Sequence, residues 1–163
     1  MKSLKFARLA AVAAVATLSS AAFAADSTTL AVSATINGVC KLTNSGGTLG
    51  PVPLTMSWAG GIDPTSTGNA DTAAVPVYFK CSLGSSPVLS VGTSNTGTYN
   101  GTATSAGGNL NYWVICTNRA AASGAGFSAA VQQVNLVGRI TQAAYQAANA
   151  GTYTDSVSVT LAP

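Results

Sequence analysis

The sequence predicts an all-β protein, an antiparallel sandwich of short strands in a single domain. Three observations carry that reading. Apolar residues alternate with small or hydroxyl residues through most of the chain, the period of a strand with one buried face. Gly, Pro, Ser, Thr and Asn fill the intervals between the alternating runs and mark turns. Helical heptads, a phosphate-binding loop and a dinucleotide fingerprint are all absent. The chain has 163 residues, of which 47% are hydrophobic and only 7% charged. That balance argues against disorder, which goes with low hydrophobicity and usually high net charge.

The first segment, 1–24, reads as a secretory signal peptide. Lys2, Lys5 and Arg8 form its basic start, Leu9 to Leu18 its apolar run, and Ala22-Phe23-Ala24 its small-x-small cleavage site. The apolar run is short for a membrane span, and no second run of about 18 residues follows it. The mature chain then begins at Ala25. The formal charge of +3 comes entirely from this leader. Beyond it, Lys41, Lys80, Arg119 and Arg139 balance Asp26, Asp63, Asp71 and Asp155. A nucleic-acid partner or an acidic membrane surface is therefore not expected.

Thr29 to Ile36 alternates cleanly, with Leu30, Val32, Ala34 and Ile36 on one face and Ala31, Ser33 and Thr35 on the other. Fully extended, Thr28 to Ile36 reaches about 30 Å. Two readings are open for it. Asn37-Gly38 is a favoured two-residue turn, which would fold the run into a hairpin with Val39 onward. Alternatively, the strand serves another molecule. Next come Cys40 to Leu42, a weaker strand at Thr55 to Trp58, and an apolar face of Val75, Val77, Phe79, Cys81 and Leu83. Pro76 on the opposite face of that run suggests an edge or a strand start. Val88 to Val91 is short. Leu110, Tyr112, Val114 and Cys116 share one face, with Trp113 and Ile115 opposite. Val134, Leu136, Gly138 and Ile140 follow, then a turn or two of helix within 142–150. Tyr153 to Leu161 closes the chain, with Val157, Val159 and Leu161 inward. The segment from Thr93 to Gly108 reads as loop, as do Gly46-Gly47, Gly60-Gly61, Ser85-Ser86-Pro87 and Gly124-Ala125-Gly126. Ala120-Ala121-Ala122 carries a milder helical signal.

Export permits disulfides, and three Cys are present. An odd count leaves one thiol over or paired between chains. Cys40 and Cys81 both lie in the apolar phase of their strands. A bridge between them would cross the interior, close a loop of about 42 residues and contribute on the order of 4 kcal/mol. Cys116 reads as a buried thiol acting as a small hydrophobe. Zinc is poorly served, because there is no Cys-x-x-Cys and no His.

The same inventory thins out enzymology. Without His there is no imidazole base and no Ser-His-Asp triad. Four scattered Asp and no Glu supply a carboxylate-pair hydrolase badly. No catalytic residue, cofactor or metal ligand is expected.

Taken in order, several segments resemble the spore coat protein U domain family, the subunits of archaic (Csu-type) chaperone–usher pili. They are Leu30 to Ile36, Cys40-Lys41-Leu42, Val75-Pro76-Val77-Tyr78-Phe79-Lys80-Cys81, Leu110-Asn111-Tyr112-Trp113-Val114, Val137-Gly138-Arg139-Ile140 with Gln142, and Gly151 to Thr160. The likeness covers nearly the whole mature chain, and its specificity lies in the order and spacing of short motifs. Thr48-Leu49-Gly50-Pro51 stands where the family often has Asp-Phe-Gly, and Cys116 lies outside the family pattern.

The resemblance implies an incomplete immunoglobulin-like antiparallel β-sandwich that lacks its last strand. It divides the chain into a leader (1–24), an N-terminal donor-strand segment (25–37) and a pilin domain (38–163). The groove left open would be bordered by the terminal strand through Val157, Val159 and Leu161, after which the chain stops at Pro163. A periplasmic chaperone fills such a groove first. In the fibre, the donor strand of an identical or related subunit replaces it, with Leu30, Val32, Ala34 and Ile36 as the inserted side chains. An outer-membrane usher would be the further partner, and an extracellular fimbrium serving adhesion and biofilm formation the destination. Head-to-tail exchange of this kind does not close and gives a filament. A single domain suits a stalk subunit better than a tip adhesin.

Two other readings share the fold. One is a secreted carbohydrate-binding sandwich that stacks sugars on Trp58, Trp113 or Tyr99. The other is a coat or matrix protein.

Tyr153 reads as a corner tyrosine bonded to backbone or as a plain core aromatic. Arg139 and Asp155 read as a structural salt bridge or as solvated charges.

Overall fold

The structure is a computed structural model and describes residues 28–117 and 123–163. The leader, Asp26, Arg119 and Ala120-Ala121-Ala122 lie outside the described residues. The chain divides between Ala34 and Thr35 into two units. Of the first, 28–34 are described, and they contain neither strand nor helix.

The second unit is mostly β and antiparallel. Its elements in chain order are β1 (Cys40–Thr43), β2 (Ala70–Asp71), β3 (Val75–Cys81), β4 (Val88–Val91), β5 (Thr98–Ser105), β6 (Gly108–Thr117), β7 (Gln132–Ile140), helix α1 (Gln142–Ala147) and β8 (Val159–Ala162). Six strands form one sheet in the order β1-β3-β7-β6-β5, with β2 also on β7, while β4 and β8 form a separate pair.

Period-two alternation explains the packing of the large sheet. Val77, Phe79 and Cys81 of β3, Leu110, Tyr112 and Val114 of β6, and Val134, Leu136 and Ile140 of β7 are all buried. They share one cluster with Leu89 and Val91 of β4 and Ala103 of β5, and Val159 and Leu161 of β8 pack against it. At roughly 1.5–3 kcal/mol per large buried side chain, this one-sided burial is the main source of cohesion. The opposite face of β6 and β7 carries Asn111, Trp113 and Arg139, with Trp113 directly across from Arg139. On β2, Asp71 stands across from Arg139 and its two carboxylate oxygens accept from the Arg139 Nε and Nη2, each at 2.7 Å. That pair pins a strand only two residues long.

Several expectations change. Residues 28–39 form no strand and no hairpin, so Asn37-Gly38 does not join Thr29–Ile36 to Val39 onward. Thr55 to Trp58 is not a strand either. The terminal run forms a ladder over β8 and one isolated bridge at Thr154, although Tyr153 to Val157 keeps its alternation. β3 ends at Cys81, and Leu83 stands exposed in the turn beyond it. Conversely, β5 lies within the stretch read as loop. The expected helix is present as α1, capped by Thr141, whose hydroxyl accepts from the Ala144 N–H.

The disulfide joins Cys40 to Cys81. It does not cross the interior. The two residues are direct cross-strand neighbours on β1 and β3, with Cα atoms 4.1 Å apart, so the bridge ties an edge strand to its own sheet. Cys116 sits on β6 opposite Leu136 and is half-buried.

Candidate functional groove

The inner face of the large sheet is not fully covered. An open cleft of about 820 Å³ runs over it. Its floor is apolar and comes from four strands: Val75, Leu136 and Ile140, Leu110, Tyr112 and Val114, and Ala103. Val91, Val157 and Val159 line it from the side of the small pair, and Leu54, Met56 and Trp58 from the segment 52–58.

Two glycines set the shape of this floor. A Cβ at Gly138 would run into the Met56 sulfur and the Trp58 ring, so its bare backbone lets 52–58 lie close over β7. Trp58 is fixed there by its indole N–H, which donates to the Ala70 carbonyl at 3.0 Å. A Cβ at Gly101 would overlap the Tyr112 ring, so Tyr112 leans across β5 into that space. Tyr99 meets it edge-on, with ring centroids 6.5 Å apart.

Both flanks of the cleft are chain segments without ladder partners. Among the described residues, 51–57 make no backbone hydrogen bond. The other flank touches β5 through the Thr104–Thr154 bridge and then has no ladder until Ser158, whose carbonyl accepts from Gly92. Asp155 lies in the apolar phase of that flank. It accepts the Tyr112 hydroxyl at 2.7 Å. Burial first, and this bond to a carboxylate second, push the Tyr112 phenol well above its ordinary pKa. Tyr153 is a corner tyrosine, with its hydroxyl donating to the Asn149 carbonyl at 2.8 Å.

The structure places the expected residues as follows. Val157 and Val159 line the cleft, whereas Leu161 stands across from Leu89 in the β4–β8 pair and is not part of the lining. Leu30, Val32 and Ile36 are 83%, 82% and 90% exposed, and Ala34 is exposed with them. Sequence reasoning took Thr55 to Trp58 for a weak strand and did not place the segment 52–58 at the cleft. Its signal was present in Val52, Leu54, Met56 and Trp58, which alternate across Pro51 and Pro53.

The aromatic residues considered for sugar stacking do not gather. Trp58 lies over Gly138 in the cleft, Trp113 is on the outer face, and Tyr99 packs against the core. A smaller polar cleft of about 410 Å³ adjoins Trp58, Asp63, Asn69 and Asp71. Several of its polar groups bond internally. Asp63 accepts from Thr65, Asp71 from Arg139, and the Tyr145 hydroxyl reaches the Ser66 and Gly68 carbonyls. Thr65 and Arg139 hold the Asp63 and Asp71 carboxyls below their usual range.

Among the described residues no group of acidic, Cys or His side chains could hold a metal, and no helix is long and apolar enough to cross a membrane. The disulfide fits an oxidising compartment. In comparisons with known proteins, no family model, curated protein or solved structure matches this chain.

Proposed function

We propose that this chain is a non-catalytic structural subunit, a stalk component, of an archaic chaperone–usher type pilus, and that it polymerises by donor-strand complementation. In this reading the domain is an immunoglobulin-like sandwich short of one strand. Residues 29–36 of one copy lie in the cleft of the next, with Leu30, Val32, Ala34 and Ile36 on its apolar floor.

One observation carries the reading: an apolar cleft flanked by two unladdered segments, in a chain that also has an exposed, cleanly alternating apolar segment. A strand entering the cleft would pair with both flanks and cover the floor. The faces match as well, since Ala31, Ser33 and Thr35 turn only small side chains away from the floor. Left open, the cleft exposes apolar surface and unpaired backbone, the hazard that a dedicated periplasmic chaperone removes before an usher passes the subunit outward. The order of motifs that resembles the spore coat protein U domain family supports the same reading. A secreted carbohydrate-binding protein has no comparable support, because its aromatic platforms are on different surfaces.

The test moves the donor. A chain starting at Asn37, with residues 28–36 re-attached after Pro163 by a flexible Gly/Ser linker, should be a soluble monomer that melts cooperatively. The same chain without the re-attached segment should aggregate or need a chaperone. Equal behaviour of the two refutes the proposal.

A further inference from the structure

The donor segment leaves the domain through a very short tether. The domain's hold on the chain starts at Val39, whose carbonyl accepts from the Ser82 N–H at 2.8 Å and whose N–H donates to the Ser82 hydroxyl at 3.0 Å. Cys40 follows and is covalently fixed to Cys81. Between Ile36, the last apolar donor residue, and Val39 lie only Asn37 and Gly38. Three Cα steps span about 10 Å at most. Gly38 itself runs beside the domain, since a Cβ there would come within 3.4 Å of the Pro163 side chain.

The surface at this exit has an unusual feature. Leu83 is 82% exposed, at the tip of the turn Ser82–Ser85. The exposure is not the result of a loose loop. Ser85 N–H bonds back to the Ser82 carbonyl at 3.2 Å, Gly84 holds φ at 77°, and Gly84 and Ser85 exchange backbone hydrogen bonds with Gly124 at 2.9 and 2.8 Å. The turn therefore presents an apolar side chain on a rigid mount, one residue from the Ser82 that anchors Val39.

We infer that this pole, centred on Leu83, is a contact surface for the next copy of the chain. The inference rests on the donor-strand reading. If Ile36 is seated in a neighbour's cleft, a tether of about 10 Å holds the mouth of that cleft against the surface around Val39 and Ser82. Leu83 then meets the neighbour and loses its exposure. The occupant is a second copy because the tether delivers nothing else there. The chain thus joins its neighbours at two places, a strand in a groove and a pole on a rim, and the second restricts bending between subunits.

Crosslinking tests it. The full chain is exported and assembled in its native background with a benzophenone amino acid in place of Leu83, as a minority subunit among unaltered ones. A control carries the same group in place of Asn100, on the outward side of β5. Irradiated filaments should give covalent multimers from position 83, mapping to one mouth of the neighbour's cleft, and none from position 100. A second variant, Leu83→Asp, should give fewer and more flexible filaments while leaving the melting point of the re-attached monomer unchanged. Filaments that form normally but give no self-crosslink from position 83, or Leu83→Asp filaments as long and as stiff as the unaltered ones, overturn the pole contact and leave the donor strand standing. An unaltered chain that forms no filaments removes the donor reading, and the contact falls with it.

Discussion

Val32 allows the strand-exchange reading to be tested with numbers. In the lone chain it is 82% exposed, so its replacement takes no packing from the subunit itself. Any effect must come from the place where the segment inserts. In the re-attached monomer, Val32→Ala removes two methyl groups from the cleft, worth about 0.8 kcal/mol each, or about 1.6 kcal/mol together. For a domain of this size that lowers the melting midpoint by roughly 5–10 °C. Val32→Asp does more. It removes the burial of a valine, about 2 kcal/mol, and sets a carboxyl against an apolar floor. Neutralising that carboxyl at pH 7, roughly three units above its ordinary pKa, costs about 4 kcal/mol more. A loss near 6 kcal/mol is comparable to the whole stability of many domains, so the strand should detach. Ser33→Asp, one residue along and on the other face, should leave the midpoint nearly unchanged. Thermal melts of the four chains at neutral pH check this, and lowering the pH to about 4 should return part of the Val32→Asp loss but change Ser33→Asp little. Equal damage from the two aspartates, or none from either, refutes insertion of this segment in this phase.

Three further outcomes follow from the domain itself. Tyr112→Phe removes the bond to Asp155 and should cost about 1–2 kcal/mol in denaturant titrations, the low end for a hydrogen bond to a charged group because Asp155 is solvent-exposed. The folded-state pKa of Tyr112 is raised, so its contribution is complete below the unfolded value of about 10 and is lost as pH rises from there through the folded value; Tyr112→Phe should flatten that alkaline decline. Gly101→Val should cost about 1–3 kcal/mol, because its side chain would need the space that the Tyr112 ring fills, whereas the conservative Thr102→Ser on the exposed face of β5 should be close to neutral in the same melts. Reducing the Cys40–Cys81 bridge should lower stability by up to about 4 kcal/mol, with the loss of hydrogen-exchange protection concentrated in β1, whose ladder partner among the described strands is β3 alone; uniform loss over the sheet would argue against the bridge as an edge clamp.

The strands read correctly from sequence are those in which burial and alternation agree: β3, β4, β6 and β7 each place a strongly apolar set inward. β5 was hidden because its inward residues, Tyr99, Gly101 and Ala103, are mostly small. Gly101 must be bare to admit Tyr112, so the demand that makes the position work erases its hydrophobic signal. β2 was illegible for another reason. Two residues carry no period, and what holds them is Thr72 and the Arg139–Asp71 pair, contacts spanning more than sixty positions of sequence. The disulfide partners were legible from phase, yet their placement in one sheet was not, since phase says that two residues face inward and not which strands are neighbours.

The remaining departures share a cause. Thr29 to Ile36 alternates perfectly and is unpaired, 52–58 alternates and has no ladder, and Tyr153 to Val157 alternates with one bridge. Alternation records that a segment has one dry face and one wet face. It holds no information on whose sheet supplies the partner. The last two segments flank the same cleft, and the first has the apolar face that such a cleft lacks. One inserted strand would give backbone partners to all three. The donor reading accounts for that coincidence, and it has a consequence for hydrogen exchange. The amides of Val52, of 54–58 and of Tyr153, Asp155 and Val157 should exchange freely in the lone subunit, where only Thr154 is already bonded to β5, and become protected together, in a single step, when the strand arrives. Protection of one flank without the other would mean that the cleft is closed by something other than a strand lying between them.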